Sequence, residues 1–226
     1  MPHHQPTAFY FVVSLIFTIA GIQTNAIAQS YKRSDYEIRQ DEVKKPMVLR
    51  SFIVGGPARA ISVGTPEGIH YCFDASNPRV VSAWSGDFLD IGPDRGYGKG
   101  RGGKHAKVLG KKFDIGDAGF PFLINGSKPT KIEFLGYRTK PYPEFYYSIN
   151  DSIKISQLIK PDKKSHGLEY HFSISGASQS LNFKLDDSQV VVSSNKGNYK
   201  GGLVTLTPAE STKFTISVHP KVSKPE

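Results

Sequence analysis

The chain has 226 residues, of which 29 are Lys or Arg and 20 are Asp or Glu, so its formal net charge at pH 7 is +9. The single cysteine, Cys72, excludes an intramolecular disulfide, a cysteine-rich zinc framework and the Cys-x-x-Cys-His haem signature. The positive charge favours anionic ligands or surfaces, whereas nucleic acid is a poor partner because the basic residues are not interleaved with stacking aromatics.

An almost uninterrupted apolar stretch occupies residues 8–22. It is typical of the hydrophobic region of a signal peptide and is too short for a comfortable membrane span. The small-x-small triplet Ala26-Ile27-Ala28 follows, which predicts cleavage before Gln29. Because the leading MPHHQPT segment contains no Lys or Arg, an uncleaved anchor is the alternative. We therefore assign residues 1–28 to a signal peptide and expect a periplasmic or secreted protein with no transmembrane segment after its removal.

The rest of the chain predicts an all-β fold, an antiparallel β-sandwich. An N-terminal extension at 29–45, in which 34–43 is compatible with a short helix, precedes one domain at 46–226; two small domains are the alternative. Apolar and polar residues alternate at a period of two in short windows about ten residues apart, which favours a sandwich or barrel over βαβ units. The predicted strands are 47–54, 58–63, 69–73, 80–84, 131–138, 144–149, 152–159, 169–174, 181–186, 190–193, 202–207 and 213–218.

The strands at 69–73 and 80–84 flank a segment of turn-forming composition at 74–79, which predicts a hairpin. Within it, Cys72 lies between aromatic neighbours and is expected to be a buried, inert thiol. His70 falls on the face opposite Tyr71 and Phe73, either at the surface or in a second layer.

Residues 86–128 combine clustered Gly, Pro and Asp with scattered large apolar residues, which predicts a long Gly-rich loop insertion at one edge or mouth of the sheets. Its basic tract, Arg95 to Lys112, contains no acid. The glycines partly match nucleotide-binding patterns, but no preceding strand or following helix is visible. A Gly-rich backbone with nearby cations suits a carboxylate, phosphate or sulfate, and a solvated basic loop is the alternative. The candidate ligand-binding residues here are Arg95, Tyr97, Arg101, Gly102, Gly103, Lys104 and His105.

Three carboxylates, Asp87, Asp90 and Asp94, follow the only tryptophan, Trp84. A flat ring beside acids suits sugar recognition, because the ring packs on the pyranose face and the acids accept hydroxyl hydrogen bonds. The same carboxylates are candidates for an acid/base pair or a calcium site, although their spacing matches no EF-hand. The alternative is that Trp84 is packed in the core and the aspartates form turns. No catalytic residue is assigned, and neither a metal nor a cofactor is predicted.

Several elements occur in order along the chain: Tyr71-Cys72-Phe73-Asp74, the segment AWSGDFLD at 83–90, Gly100-Arg101-Gly102-Gly103 and Leu109-Gly110. With 134–138 and 144–149, they resemble an uncharacterised secreted β-sandwich module that accompanies exported c-type cytochromes and quinoprotein sugar-dehydrogenase-like proteins in bacteria. The resemblance covers most of residues 50–220 and implies a periplasmic sugar-oxidation context. Relatives are often fused to a haem segment that this chain lacks, so the resemblance implies a stand-alone version that acts by binding.

The leading hypothesis is an exported accessory protein that binds carbohydrate or an acidic sugar, or docks on a periplasmic redox partner. Trp84 would stack on the sugar, Asp87 and Asp90 would bind hydroxyls, and the basic tract would bind the anionic group. The first alternative is a carbohydrate-active hydrolase, lyase or epimerase, which requires Asp87 or Asp90 in a concave pocket with a raised pKa. A structural envelope subunit, with no pocket and a flat apolar patch, is the second alternative.

Overall fold

The computed structural model describes residues 35–94, 105–115 and 119–221, and the regular secondary structure of these residues is almost exclusively β-strand. The strands pair in antiparallel sheets, which confirms the predicted all-β class. Helical structure in the described residues is limited to a 3-10 turn at Gln40–Glu42 and the four-residue helix α1 at Pro208–Ser211. The strands are β1 (Glu37–Ile38), β2 (Met47–Leu49), β3 (Ala60–Gly64), β4 (Ile69–Asp74), β5 (Arg79–Ser85), β6 (Leu89–Asp90), β7 (Lys107–Val108), β8 (Lys111–Asp114), β9 (Phe122–Ile124), β10 (Ile132–Arg138), β11 (Glu144–Ile149), β12 (Ile153–Asp162), β13 (Gly167–Ser175), β14 (Leu181–Lys184), β15 (Val190–Ser194), β16 (Asn198–Lys200), β17 (Leu203–Leu206) and β18 (Lys213–Pro220).

Four sheets are formed by these strands. The six-stranded sheet has the order β10-β11-β12-β13-β18-β15, and the five-stranded sheet has the order β2-β3-β4-β5-β8. A four-stranded sheet, β16-β17-β14-β9, and a three-stranded sheet, β1-β6-β7, complete the described fold. The edge strands β8 and β15 matter for the site described below.

Aromatic side chains join the six-stranded sheet to the two sheets that pack on its inner face. Phe73 of β4 stacks on Phe145 of β11 with 3.8 Å between ring centroids. Phe172 of β13 contacts Phe122 of β9 at 5.4 Å and Phe183 of β14 at 5.1 Å. The predicted alternation is confirmed on β13, β14 and β18, where the apolar residues of each window are buried in this main core. The result is a sandwich with one layer formed by the six-stranded sheet.

The strands β3 and β4 of the five-stranded sheet are buried on both faces. Ile61, Tyr71 and Phe73 point into the main core, whereas Cys72 and Trp84 point into a second cluster on the opposite face. This minor core consists of Val43, Ile53, Ala60, Cys72, Trp84, Phe88, Leu89 and Ala106. It lies against residues of the three-stranded sheet, so the middle strands of the five-stranded sheet are buried continuously, without alternation between exposed and buried positions.

The hairpin predicted around 74–79 is confirmed as β4 and β5, and the strand predicted at 144–149 is β11. The prediction of one uninterrupted loop at 86–128 is wrong for the described residues, because β6, β7, β8 and β9 lie in this range and pair in three different sheets. These strands have two to four residues each, too few to produce a recognisable period. In place of the short helix suggested at 34–43, the described residues form β1 and a single 3-10 turn. The signal peptide at 1–28 and the Gly-rich run at 95–104 lie outside the described residues.

Phe172 is the centre of the main core, since it contacts Phe122, Phe183 and Phe214 and is 2% exposed. We expect Phe172→Ala to lower the free energy of unfolding by about 3–5 kcal/mol, because it leaves a cavity between two sheets. The matched control is Phe52→Ala, the same change at a side chain that is 53% exposed, with an expected loss of about 0.5 kcal/mol or less. Urea denaturation measures both, and equal losses would contradict the described packing.

Candidate functional site

Trp84 lies in the minor core and has no exposed surface. Its Nε1–H donates a hydrogen bond of 2.9 Å to the carbonyl oxygen of Phe88, and its ring stacks on the Phe88 ring at 5.8 Å. A ring enclosed in this way offers no face to a ligand. The interpretation of Trp84 as a sugar-stacking surface is therefore wrong, and the alternative of a packed core residue is correct.

Asp87 ties the segment after β5 to the N-terminal 3-10 turn. Its Oδ2 accepts a hydrogen bond of 2.6 Å from the Arg39 guanidinium, and its Oδ1 accepts one of 2.9 Å from the Gln40 amide. The Gln40 N–H, followed by the Arg39 side chain, lowers the pKa of Asp87 below its ordinary value of 3.8. The enzyme hypothesis requires a raised pKa, so Asp87 does not have the property expected of a general acid.

The other two aspartates of this segment have separate structural partners. Asp90 Oδ1 accepts a hydrogen bond of 3.0 Å from the Gly92 amide within a turn. Asp94 Oδ2 accepts one of 2.8 Å from the Ser51 hydroxyl. Across residues 35–94, 105–115 and 119–221, no three His, Cys, Asp or Glu side chains are grouped so that they could hold a metal ion.

Of the candidates in the basic tract, only His105 is described; Arg95, Tyr97, Arg101, Gly102, Gly103 and Lys104 lie outside the described residues. His105 is exposed, and its ring stacks on that of Phe52 at 5.7 Å. The next residue, Ala106, donates a hydrogen bond of 2.8 Å to the Phe52 carbonyl. The chain that leaves the Gly-rich run is thus held against the segment that follows β2.

His70 is in the second layer, fully buried between the rings of Trp84 and Phe88. Its Nδ1 accepts a hydrogen bond of 3.0 Å from the Thr65 amide, so its Nε2 carries the proton and donates to the Gly86 carbonyl at 2.8 Å. Burial lowers the pKa of this imidazole below 6.5, although the Gly86 carbonyl and the Asp87 charge oppose the shift. His70 is therefore a neutral structural residue that links β4 to the two adjoining turns.

The described residues form a basic groove where the edge of the five-stranded sheet meets the end of the six-stranded sheet. The groove has a volume of about 770 Å³. Its lining residues come from the end of β5, β8, the β12–β13 turn, the residue before β15 and the end of β18, and no Asp or Glu of the described residues lines it. The lining residues are Ser85, Lys111, Lys112, Phe113, Lys164, Ser165, His166, Gln189, His219, Pro220 and Lys221.

Glycine at position 110 allows β8 to approach β5 and form one wall of the groove. A Cβ at this position would lie 2.2 Å from the Ser85 carbonyl oxygen, so only glycine fits without a backbone shift. Directly after it, Lys111 pairs with Ser85 and Lys112 pairs with Trp84. The last two lysines of the basic tract are thereby fixed on an edge strand and line the groove.

Gln189 connects the two sheets at the floor of the groove. Its Oε1 accepts a hydrogen bond of 3.2 Å from the Asp114 amide of β8, and its carbonyl accepts one of 3.0 Å from the Lys221 amide after β18. Because Oε1 is the acceptor, the Nε2 end of the carboxamide supplies the N–H donors.

Two carboxylates that flank lining residues of the groove in sequence are already hydrogen-bonded or paired. Asp162 accepts hydrogen bonds from the Ser165 hydroxyl at 2.7 Å and the Lys164 amide at 3.0 Å, and these contacts, with the hydroxyl first, lower its pKa. Asp114 pairs with the Lys112 ammonium group at 2.9 Å. The remaining lysines of the groove keep their charge available to a ligand.

The sequence did not predict this groove, because its lysines come from segments far apart in the chain. The only local signal in the sequence is the basic tract, whose last two lysines, Lys111 and Lys112, line the groove. Nothing in the composition of the segment at 160–167, which is typical of a solvated charged turn, places it beside β8.

Comparison of the chain with models of known protein families, with curated proteins and with solved structures finds no significant match. Within the described part of the chain, no helix is long and apolar enough to cross a membrane.

The lowered pKa of His70 predicts a loss of stability in mild acid. Well above pH 6.5 the His70 imidazole is neutral in both the folded and the unfolded protein. As the pH falls below 6.5, this imidazole binds a proton in the unfolded chain, whereas in the folded protein it binds one only at lower pH. The free energy of unfolding therefore decreases with falling pH, by at most about 1.4 kcal/mol per pH unit from this group. We expect His70→Gln, which cannot be protonated, to have a flatter stability profile between pH 7 and pH 5 in urea denaturation.

The control for this profile is His105→Gln, which removes an exposed imidazole and should keep the wild-type slope. The slope is the readout, because His70→Gln also lowers the absolute stability. Parallel profiles for His70→Gln and the wild type would show that His70 is not the group responsible.

Proposed function

We propose that this protein binds an anionic ligand in the basic groove, and that an acidic carbohydrate is the ligand class favoured by the lining residues. The observation that carries the proposal is the convergence of Lys111, Lys112, Lys164 and Lys221 on one groove that no described carboxylate lines. Such an arrangement favours negatively charged groups within the groove.

Clustered positive charges are unfavourable without a counter-charge. Of the four lysines, Lys112 has an ion pair among the described residues, with Asp114 at 2.9 Å. The ammonium groups repel one another, and an anion that binds between them removes this repulsion. An ordinary solvated surface has both signs of charge interspersed, so the one-sided composition of the groove favours a ligand-binding role.

The neutral residues of the groove favour a sugar over an inorganic ion. Ser85, Ser165 and Gln189 offer hydrogen-bonding groups for hydroxyls, while Phe113 and Pro220 provide apolar surface. A volume of about 770 Å³ lies in the range of organic ligand sites, which combine apolar lining with a few polar groups that fix orientation. A uronic acid oligomer has both the carboxylates and the hydroxyls that this lining complements.

Binding is favoured over the hydrolase, lyase or epimerase alternative. Glycoside hydrolysis generally uses two carboxylates that flank the bond, and no described carboxylate lines the groove. Asp87 and Asp90 lie outside its lining and accept hydrogen bonds from backbone amides. The proposed activity is therefore recognition, and the protein is proposed to act as an accessory binding protein.

The proposal includes export, on the basis of the apolar stretch at 8–22 and the triplet Ala26-Ile27-Ala28. The periplasmic sugar-oxidation context, with docking on a redox partner, remains a prediction from the resemblance described above. An acidic sugar is the product class that such oxidation yields, which makes the two parts of the proposal chemically consistent.

The binding proposal predicts that a galacturonic acid tetramer binds and that the neutral galactose tetramer of the same linkage does not. We expect the triple variant Lys111→Ala/Lys164→Ala/Lys221→Ala to bind the acidic tetramer about tenfold more weakly or worse, because three charge contacts of about 0.5–1 kcal/mol each are removed. Isothermal titration calorimetry measures this affinity, which should also fall as salt is added. Trp84 is enclosed in the minor core, so its emission is not the readout.

The matched control is Lys44→Ala/Lys128→Ala/Lys200→Ala, which removes the same charge from exposed positions outside the groove. It should retain the wild-type affinity. Equal weakening in both triple variants would mean that net charge rather than the groove attracts the ligand. Equal affinity for the acidic and neutral tetramers would also contradict the proposal.

Export predicts that the mature protein begins at Gln29. Mass spectrometry of the N-terminal peptide from protein made in its native cell measures this end, and Ala28→Arg should block cleavage because signal peptidase requires a small residue there. Recovery of the intact N-terminus in the wild-type protein would contradict cleavage.

A further inference from the structure

The turn between β12 and β13 has a histidine in an unusual backbone conformation beside the basic groove. His166 has φ +53°, in the left-handed region that L-residues with a side chain seldom adopt. The other non-glycine residues with positive φ in the described chain are Asn125, Asn150 and Asp151, the types that tolerate this region best. Histidine is also enriched in this region, and His166 is the member of the set that lines the groove.

The neighbouring glycine is fixed by close packing and brings a second histidine alongside. A Cβ on Gly167 would lie 2.2 Å from the Val218 carbonyl oxygen and 2.7 Å from the His219 Cβ. The strands β13 and β18 can approach this closely only because position 167 has no side chain. His219 therefore lies beside the turn that contains His166, and both residues line the groove.

The charged groups around these two imidazoles are predominantly cationic. Lys164 lies in the same turn, Lys111 and Lys112 face them from β8, and Lys221 follows β18. The acids on the adjoining strands, Asp162, Asp114 and Glu169, contact Ser165, Lys112 and His171 respectively. A bound anion thus supplies the counter-charge that would favour the protonated form of both imidazoles.

Resting on the proposed function, we infer that His166 and His219 bind the anionic ligand directly and make its affinity depend on pH. An imidazole gains a positive charge and a second N–H donor when it is protonated, and this occurs in the range of mild acid for histidines in general. Ligand binding and protonation then favour each other, because each lowers the electrostatic cost of the other. The groove retains its anion more tightly in mild acid than at pH 7.5.

The test is isothermal titration calorimetry with the galacturonic acid tetramer at pH 5.5, 6.5 and 7.5 and constant ionic strength. The uronate carboxylates stay ionised throughout this range, so a change in affinity arises from the protein. We expect the wild-type affinity to rise about tenfold from pH 7.5 to pH 5.5, as two charges of surface-contact strength are added. His166→Asn should reduce the rise to about threefold, and His166→Asn/His219→Asn should reduce it below about twofold.

Thermal melting separates a binding role from a structural one. Asn adopts the left-handed conformation readily, so His166→Asn should melt at or above the wild-type temperature while the pH dependence of its affinity is reduced. His171→Gln, on the outer face of the six-stranded sheet beside Glu169, is the matched control and should keep the wild-type pH profile.

The outcomes distinguish this inference from the proposed function. Two results would overturn the inference and leave the proposed function unaffected. In the first, binding depends on the groove lysines but the wild-type affinity is constant from pH 5.5 to pH 7.5; in the second, the double histidine variant keeps the full rise in affinity. Binding that is absent at every pH, or that ignores the groove lysines, overturns both.

Discussion

The packing of aromatic rings between three sheets is the interaction on which the rest of this structure depends. With one cysteine, the chain has no disulfide to hold its layers together. Phe73 on Phe145, and Phe172 against Phe122 and Phe183, connect the six-stranded sheet to both of its neighbours. Every residue of the basic groove is attached to one of the two larger sheets or to the turns at their ends. The relative position of the groove walls therefore depends on apolar contacts in the main core.

The groove itself arises from the geometry of sheet edges. The strand β8 is an edge of the five-stranded sheet, and β15 is an edge of the six-stranded sheet. Edge strands expose unpaired backbone groups, and natural proteins protect them with lysine and with covering segments. Here Lys111 and Lys112 lie on β8, and Gln189 covers its Asp114 amide. The same cationic edge is well placed to attract an anion, so protection of the edge and the proposed ligand binding would use the same residues.

The sequence predicted the fold better than the site, for physical reasons. Alternation on β13 and β18 predicts these strands because one face of each is buried. The prediction of a long loop after β5 is wrong because β6 to β9 are too short to show a periodic pattern. The prediction that Trp84 stacks on a ligand is wrong because the residue type does not reveal that Phe88 covers its ring. The groove depends on the crossing of β8, β18 and one turn. Such contacts between distant segments have no local signal beyond the charge of the basic tract.

The continuous burial of β3 and β4 has a consequence for how the protein unfolds. These strands form a wall of the main core with one face and a wall of the minor core with the other. Exposing either core to water would disrupt β3 and β4 and thereby the packing of the other core, so neither core is expected to unfold separately. We therefore expect the main core and the minor core to melt as one cooperative unit, so that the emission of Trp84, enclosed on one side of the sheet, reports on the loss of order on both.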